Sequence, residues 1–465
     1  MAVSNFTFLT VDGTGRPSDP SSRAAIRSRC MKGVNVRQDS RRSKRKAKKT
    51  KERNDEVIRT NIQDISVTNR QQLAHASLSG SLPTEMRMSI DDIGFDSSVL
   101  PPSVLPMVMR CNTILDTIYP LEQTVNAQTR WTGNLLLVYH DKSILNALNM
   151  ASSAVTDLTI NTHLSSKTQQ LLCNMLSTLN QGLHQAVKQQ SPTTVLTILI
   201  LLFTAEAMQD FDAMGMHLEG IGRLLIIRDR LPTGWDAKLL FKIQQFDLRL
   251  ALATGRPLRL ALEYPYSTIP TTGTSNILDK LDVSSLTVTE TFQNLQALTQ
   301  HVTESMHFGI SLIWEDVQPQ ISTIQTQLLN LEESDLSDME EALRLGILGF
   351  LTTLSLSPIR RLHLSRFCSQ LETSYTVQYS NKAFGIWLVM MGLLSTVDVS
   401  NHVVRDMWDK TIDAGLTWVD ARDTMVADKL PWVGFIHDEP AKKVFHRLQA
   451  SRSPRESSQE SLIDF

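Results

Sequence analysis

Lys238-Leu239-Leu240-Phe241-Lys242-Ile243-Gln244-Gln245-Phe246-Asp247-Leu248-Arg249-Leu250-Ala251-Leu252-Ala253-Thr254-Gly255-Arg256-Pro257 sets Leu239, Ile243, Phe246, Leu250 and Ala253 at steps of three and four. Residues at those steps share one face of a helix with 3.6 residues per turn. Gly255 then gives the chain a residue free to turn left-handed, and Pro257 cannot continue a helix, so the segment predicts a helix ending near Thr254. The same periodicity runs through Ser166–Gln190 (Leu172, Met175 or Leu176, Leu179, Leu183, Val187), where Pro192 breaks it, and through Ala213–Arg228 (Met214, Leu218, Ile221, Leu225). Further helices are predicted near 282–302, 317–332, 336–355, 380–397, 401–420 and 438–449. The two-residue alternation of a half-buried strand is almost absent. The fold class that follows is all-α, a large multi-helix domain.

The chain has 465 residues, 42% hydrophobic and 20% charged, enough to close a large core. Its longest apolar runs, Val195–Phe203 and Ala383–Leu394, fall short of the roughly 20 residues that span a bilayer, so they predict buried core helices in a soluble chain, with no membrane partner. Cys30, Cys111, Cys173 and Cys368 are scattered with no CxxC pair, which argues against a disulfide framework or a thiolate zinc site. The layout divides into a basic arm at 1–53 with a short helix ending near Met31, a polar linker at 54–100, a helical body at 101–450 and a Ser/Glu-rich tail at 451–465. Residues 256–280, rich in Pro and Thr, predict a long loop.

Charge is unevenly distributed. Residues 1–53 carry 15 Lys and Arg against four Asp and Glu, a net +11, while the remainder carries 31 against 44, a net −13. The run from Arg41 to Arg53 concentrates the positive charge in Arg41, Arg42, Lys44, Arg45, Lys46, Lys48 and Lys49. Such density repels itself and predicts disorder for the isolated arm. Clustered Lys and Arg suit a nuclear import receptor first, phosphate contact with nucleic acid second, and a solvated linker third. A basic leucine zipper is excluded: Ile58, Ile62 and Ile65 begin a heptad pattern that fails at Asn69 and Gln72.

No GxSxG, GxxxxGK[ST], HExxH or GxGxxG motif occurs, which removes the common hydrolase, nucleotide and metalloprotease signatures. Asp91-Asp92-Ile93-Gly94-Phe95-Asp96 reads as an exposed acidic turn, and Cys30 as a small apolar residue. Gly215, Gly220 and Gly222 lie within a helical stripe and predict close helix packing. Asp247 falls between Ile243 and Leu250 on a core-facing helix, and a buried carboxylate needs donors. Arg223 and His217 on the preceding helix are the expected partners, giving a His217–Arg223–Asp247 structural clamp. No catalytic residue, cofactor or metal site is expected, and the chain is read as a non-enzyme.

Met214-Gly215-Met216-His217-Leu218-Glu219-Gly220-Ile221-Gly222-Arg223-Leu224-Leu225, followed by Asp247, Ala251 and Gly255-Arg256-Pro257, resembles the regulatory domain of fungal-specific transcription factors. In that family a helix of the pattern HLxGxxxLL precedes one of the pattern DxxxAxxxGxxP. The opening Phe6-Thr7-Phe8, then Arg23, Ile26-Arg27-Ser28 and Met31-Lys32-Gly33, is similar to a subgroup that begins with an FxF segment ahead of a basic run. Leu430-Pro431-Trp432-Val433-Gly434-Phe435-Ile436-His437-Asp438-Glu439 is similar to that subgroup's C-terminal block. The resemblance implies a helical regulatory domain, residence in the nucleus and a role in transcription regulation through the transcription machinery. Full family members read DNA with a six-cysteine zinc cluster. Residues 1–100 hold only Cys30, so no such cluster forms there, and DNA binding is left to the basic arm. The alternatives to a transcriptional regulator are a helical adaptor or nuclear cofactor that does not touch DNA and, behind it, an enzyme with a helical cavity. No small-molecule effector is identified by the sequence.

Overall fold

Ser, Thr and Asn residues stand immediately before most of the apolar stripes, and in the structure seven of them cap helices. The computed structural model describes residues 118–121, 142–185, 191–228, 236–260, 276–310, 312–331, 335–355, 362–377, 379–412 and 415–452. Among these residues 79% are helical and none lies in a strand, so the fold is all-α. The long helices are α1 (Lys142–Ile160), α2 (Ser166–Leu183), α3 (Pro192–Ala207), α4 (Phe211–Arg228), α5 (Asp236–Thr254), α6 (Asn276–Leu281, a short one), α7 (Leu286–Phe308) and α8 (Trp314–Leu329). They are followed by α9 (Asp338–Thr353), α10 (Ser365–Tyr375), α11 (Lys382–Ser395), α12 (His402–Thr411), α13 (Trp418–Ala427) and α14 (Gly434–Arg452).

The capping side chains are Ser165, Ser191, Ser285, Ser337, Asn381, Asn401 and Thr417. Each accepts a first-turn backbone N–H that would otherwise lack a partner. Ser337 and Thr417 close reciprocal capping boxes with Glu340 and Asp420. Glu340 also accepts from the backbone N–H groups of Ser284 and Ser285 through Oε1, at 2.9 and 2.6 Å, tying the start of α9 to the start of α7. Against the opposing effect of burial, these hydrogen bonds hold its carboxyl down at about 2.

Three apolar clusters fill the body. The largest gathers α7 to α14 around α11, in which every residue from Ala383 to Leu393 is buried. Gly349 of α9 lets that helix approach α11, since an added Cβ would stand only 3.3 Å from the Met391 Cβ, and Gly346 leaves the space that the Trp387 ring occupies. A second cluster joins α3, α4 and α5, and a third joins α1, α2 and α3. Helix α5 belongs to two of them: Phe241, Leu248 and Leu252 enter the large cluster, and Leu239, Ile243, Phe246 and Leu250 enter the second. It is therefore apolar on both sides, and Gln244, Gln245, Asp247 and Arg249 have no solvent face to occupy.

The predicted stripes at 213–228 and 238–254 are helices, as are the two apolar runs, which lie in α3 and α11; of the stripe predicted over 166–190, α2 covers only Ser166–Leu183, with His184 at its cap, and 186–190 lie outside the described residues. Several boundaries differ. Pro192 opens α3 at its first position, where its missing N–H costs nothing. Helices α8 and α14 start ahead of the predicted 317 and 438, and each contains a proline, Pro319 and Pro440, within its second turn. The stretch predicted as one helix at 401–420 is two, α12 and α13, and α1 and α10 were not predicted. Residues 276–280 of the expected loop belong to α6, which runs on to Leu281. No helix among the described residues is long and apolar enough to cross a membrane. The arm at 1–53, the linker at 54–100, the start of the body and most of the tail lie outside the described residues.

Candidate functional site

Helices α4 and α5 and the segment that leaves α5 form the part of the body that the sequence singles out. Gly255 takes a left-handed φ of 70° and its N–H bonds to the Ala251 carbonyl at 2.7 Å, ending α5. The chain then turns back along α4. Asp247, 1% exposed, receives it: its carboxylate accepts the backbone N–H of Arg259 at 2.9 and 3.1 Å and that of Leu260 at 2.9 Å. The Arg259 guanidinium reaches across α4 and donates to the Gly215 carbonyl at 3.0 Å, with Glu219 3.8 Å away. A side chain at Gly215 would press on that guanidinium at 3.0 Å, and one at Gly222 would meet the Leu260 side chain at 3.1 Å.

The expected clamp is thus corrected in its partners. Asp247 is buried as expected, but backbone amides satisfy it, and neither Arg223 nor His217 reaches it. Arg223 is exposed and pairs with Glu219 on its own helix at 2.5 Å, a pair that contributes little on the surface. His217 is pushed below its ordinary pKa by burial, with the charge of Asp210 opposing, so it offers no positive charge near neutral pH. The glycines differ from expectation too: Gly215 and Gly222 accommodate the returning segment, and Gly220 faces open space. Burial pushes the Asp247 carboxyl up, while the Leu260 and Arg259 amides and the Arg259 charge pull it partly back.

Two other buried polar residues of α5, Arg249 and Gln244, carry connections that the sequence reading missed. Arg249, 2% exposed, pairs with Glu206 of α3, donates Nη1 to the Ser355 carbonyl at 3.3 Å and lies over the Phe246 ring at 5.1 Å. Burial drives the Glu206 carboxyl up, and the Arg249 charge counters it. Gln244 donates to the Ser322 hydroxyl and accepts from the Gln318 amide, both at 2.7 Å, linking α5 to α8. A signal existed: Glu206 is the only charged residue in the apolar α3, and Arg249 lies in a helix apolar on both sides.

The block at Leu430–Glu439 plugs into the large cluster. The Trp387 indole donates to the Pro431 carbonyl at 2.9 Å, and the Trp432 indole to Asp438 at 2.7 Å. His437, 1% exposed, accepts the Val433 N–H on Nδ1 at 3.0 Å. Its proton therefore sits on Nε2, which faces the Thr353 hydroxyl at 2.8 Å. That hydroxyl donates onward to the Phe350 carbonyl at 2.6 Å. Burial depresses His437 to about 3. The folded chain therefore refuses a proton that the unfolded chain accepts below its ordinary 6.5. Stability from this group is intact above about pH 6.5 and is lost as pH falls towards 3. Urea midpoints measured from pH 8 to pH 4 should fall more steeply for the native chain than for His437→Gln. Parallel curves would reject the assignment.

Two features bear on chemistry. Among the described residues no group of three His, Cys, Asp or Glu side chains is placed to hold a metal ion. Cys173 is exposed and Cys368 buried, both free, and burial together with Glu372 raises the Cys368 thiol to about 11, away from the reactive thiolate. Comparison with family models, curated proteins and solved structures gives no match. The polar connections just described are all of the kind that hold helices together. Arg41, Arg42, Lys44, Arg45, Lys46, Lys48 and Lys49 lie outside the described residues.

Proposed function

We propose that the chain is a nuclear transcriptional regulator: a helical body that presents surfaces to the transcription machinery, brought into the nucleus by an import receptor acting on Arg41–Arg53. The observation that carries the reading is the coherence of the resembling blocks. The segment from Met214 to Leu225 provides the two glycines that receive Arg259 and Leu260, and the segment from Asp247 to Pro257 provides the carboxylate and the turn that deliver them. Residues quoted as two separate motifs act as one joint, which favours a shared fold over a chance match of degenerate patterns. On this reading the chain is not an enzyme and needs no cofactor.

A second reading, an adaptor that never touches DNA, is favoured by the net −13 of residues 54–465, which repels a polyanion. Two measurements separate them. A tagged intact chain should concentrate in the nucleus and lose that localisation when residues 41–53 are deleted; cytoplasmic residence of the intact chain rejects the proposal. Purified protein that binds DNA through the arm should lose affinity steeply as salt rises and entirely on the same deletion. Absence of DNA affinity at low salt assigns the role to the adaptor.

A further inference from the structure

Ten large apolar side chains stand exposed among the described residues, and four of them, Met306, Phe308, Ile310 and Ile313, fall within eight residues of chain at the turn from α7 to α8. Exposed apolar residues scattered singly need no explanation; four at one turn do. The fold makes little use of them. Gly309 takes a left-handed φ of 66° to end α7, and the Ile310 N–H bonds to the Ser305 carbonyl at 2.8 Å. Such a cap usually brings an apolar contact between the residue after the glycine and the last turn of the helix. Here that turn offers Glu304 and Ser305, and Ile310 is left 61% exposed. Ile313 occupies the N-cap of α8, where Ser, Thr or Asn serves seven other helices, and supplies no capping bond. Leu312 and Trp314 anchor the turn from inside.

The surroundings are acidic. From Leu281 to Leu343 the sequence carries 11 Asp and Glu and neither Lys nor Arg. Glu304, Glu315 and Asp316 flank the turn, all exposed and none in an ion pair among the described residues. Lys242 of α5 belongs to the aromatic group that Trp314 joins, and it lies over the Tyr119 ring at 4.4 Å. Acids in the first turn of α8 complement the positive end of that helix, which accounts for Glu315 and Asp316. It does not account for apolar side chains exposed beside them. We propose that this turn is a docking surface for a basic amphipathic helix of a partner protein. The apolar stripe of that helix covers Phe308, Ile310 and Ile313, and its flanking Lys or Arg meet Glu304, Glu315 and Asp316. Charge selects this occupant: nucleic acid, anionic lipid and a second copy packed turn to turn would each meet like charge. Four side chains also fall short of the roughly 20–30 residues a side that join two globular proteins, so the occupant is a single helix. The inference rests on the regulatory reading only for the partner's being nuclear.

The test is fluorescence anisotropy of a labelled peptide about two heptads long, Leu and Lys set at helical period, titrated with the full chain. The same peptide with Glu for Lys, and one of scrambled order, are the controls. The Leu/Lys helix should saturate one site and the controls should not. Phe308→Ser with Ile313→Thr should weaken binding about tenfold or more, the scale of losing an apolar anchor. The melting temperature of that variant should hold or rise, because Thr suits an N-cap. Leu286→Ser, exposed at the other end of α7, should leave affinity unchanged. Glu315→Gln with Asp316→Asn should weaken binding and flatten its dependence on salt. Failure to saturate at millimolar peptide, or equal affinity in the Phe308→Ser, Ile313→Thr variant, would overturn the proposal. So would a concentration-dependent dimer that the same variant dissolves, which assigns the turn to a second copy, or binding that appears only once residues 1–53 are removed, which assigns it to the chain's own arm. None of these outcomes bears on nuclear localisation, so the two readings fail separately.

Discussion

Glu206→Ala should destabilise the fold by about 3–5 kcal/mol, the scale for removing one partner of a buried ion pair. Glu206 and Arg249 are 1% and 2% exposed, and the guanidinium has no other carboxylate within ion-pair distance among the described residues. Removal of the acid strands a positive charge between α3, α5 and the end of α9, with only the Ser355 carbonyl and the Phe246 face beside it. Removing both charges is a different experiment. Glu206→Leu with Arg249→Met replaces the pair by apolar side chains of similar length, and such replacements are often neutral. Urea denaturation of the two single variants and the double variant completes a thermodynamic cycle. The double variant should be clearly more stable than either single one. Additive losses would show that the two side chains do not act as a pair.

This pair also marks where sequence reading stops. The stripe of α5 was legible because Leu239, Ile243, Phe246, Leu250 and Ala253 recur at helical steps, and Gly255 with Pro257 fixed its end. What periodicity could not give is the second stripe, Phe241, Leu248 and Leu252, as a separate contact with a separate cluster. Once both faces are apolar, Gln244, Asp247 and Arg249 must be buried, and each then needs a partner from elsewhere in the chain. The partners are 43 positions away for Glu206 and 78 for Ser322, separations at which one sequence offers no preferred pairing. Helix α10 went unpredicted for a related reason. Phe367, Cys368, Leu371 and Tyr375 do form a buried face, but only 11 residues long, too short for periodicity to stand out from its polar surroundings.

Asp247 illustrates a subtler failure. Spacing correctly placed its carboxylate inside, and burial of a carboxylate correctly demanded donors. A sequence displays side chains, and the donors it shows on the preceding helix are Arg223 and His217. Backbone N–H groups are not displayed in this way, although each residue from Arg256 to Leu260 except Pro257 carries one. The donors belong to Arg259 and Leu260, 12 and 13 positions on, in a segment with no periodicity of its own. The glycines of α4 offered the missing hint. Gly215 and Gly222 lie seven apart on nearly one face, and a helix bare at two such positions has something lying against it. Here that something is the return from α5.

Asp247→Ala should therefore cost about 2–4 kcal/mol, combining an unsatisfied buried Leu260 N–H with the released return segment. The loss has a position as well as a size. Without the carboxylate, residues 255–260 lose their anchor on α5, while the Arg259 guanidinium keeps its bond to the Gly215 carbonyl and its loose pairing with Glu219 on α4. Amide hydrogen exchange should accelerate at Arg259 and Leu260 well before it does in α11, which lies in the other cluster. Arg223→Ala, on the surface beside Glu219, should change stability by less than about 0.5 kcal/mol. His217→Ala tests the same point from the half-buried side of α4. Asp247→Asn separates charge from hydrogen bonding: with its carbonyl oxygen in the place of Oδ2 it can still accept from both Arg259 and Leu260, and only the longer Arg259 contact to Oδ1 is lost, so its loss should be well below that of Asp247→Ala. Because burial raises the Asp247 pKa, the ionised carboxyl is favoured less in the folded chain than in the unfolded one. The group's contribution therefore grows as pH falls through its folded value, opposite in sign to that of His437. A melting temperature unchanged in Asp247→Ala, or lowered equally in Arg223→Ala, would mean that the return segment is held by something other than this carboxylate.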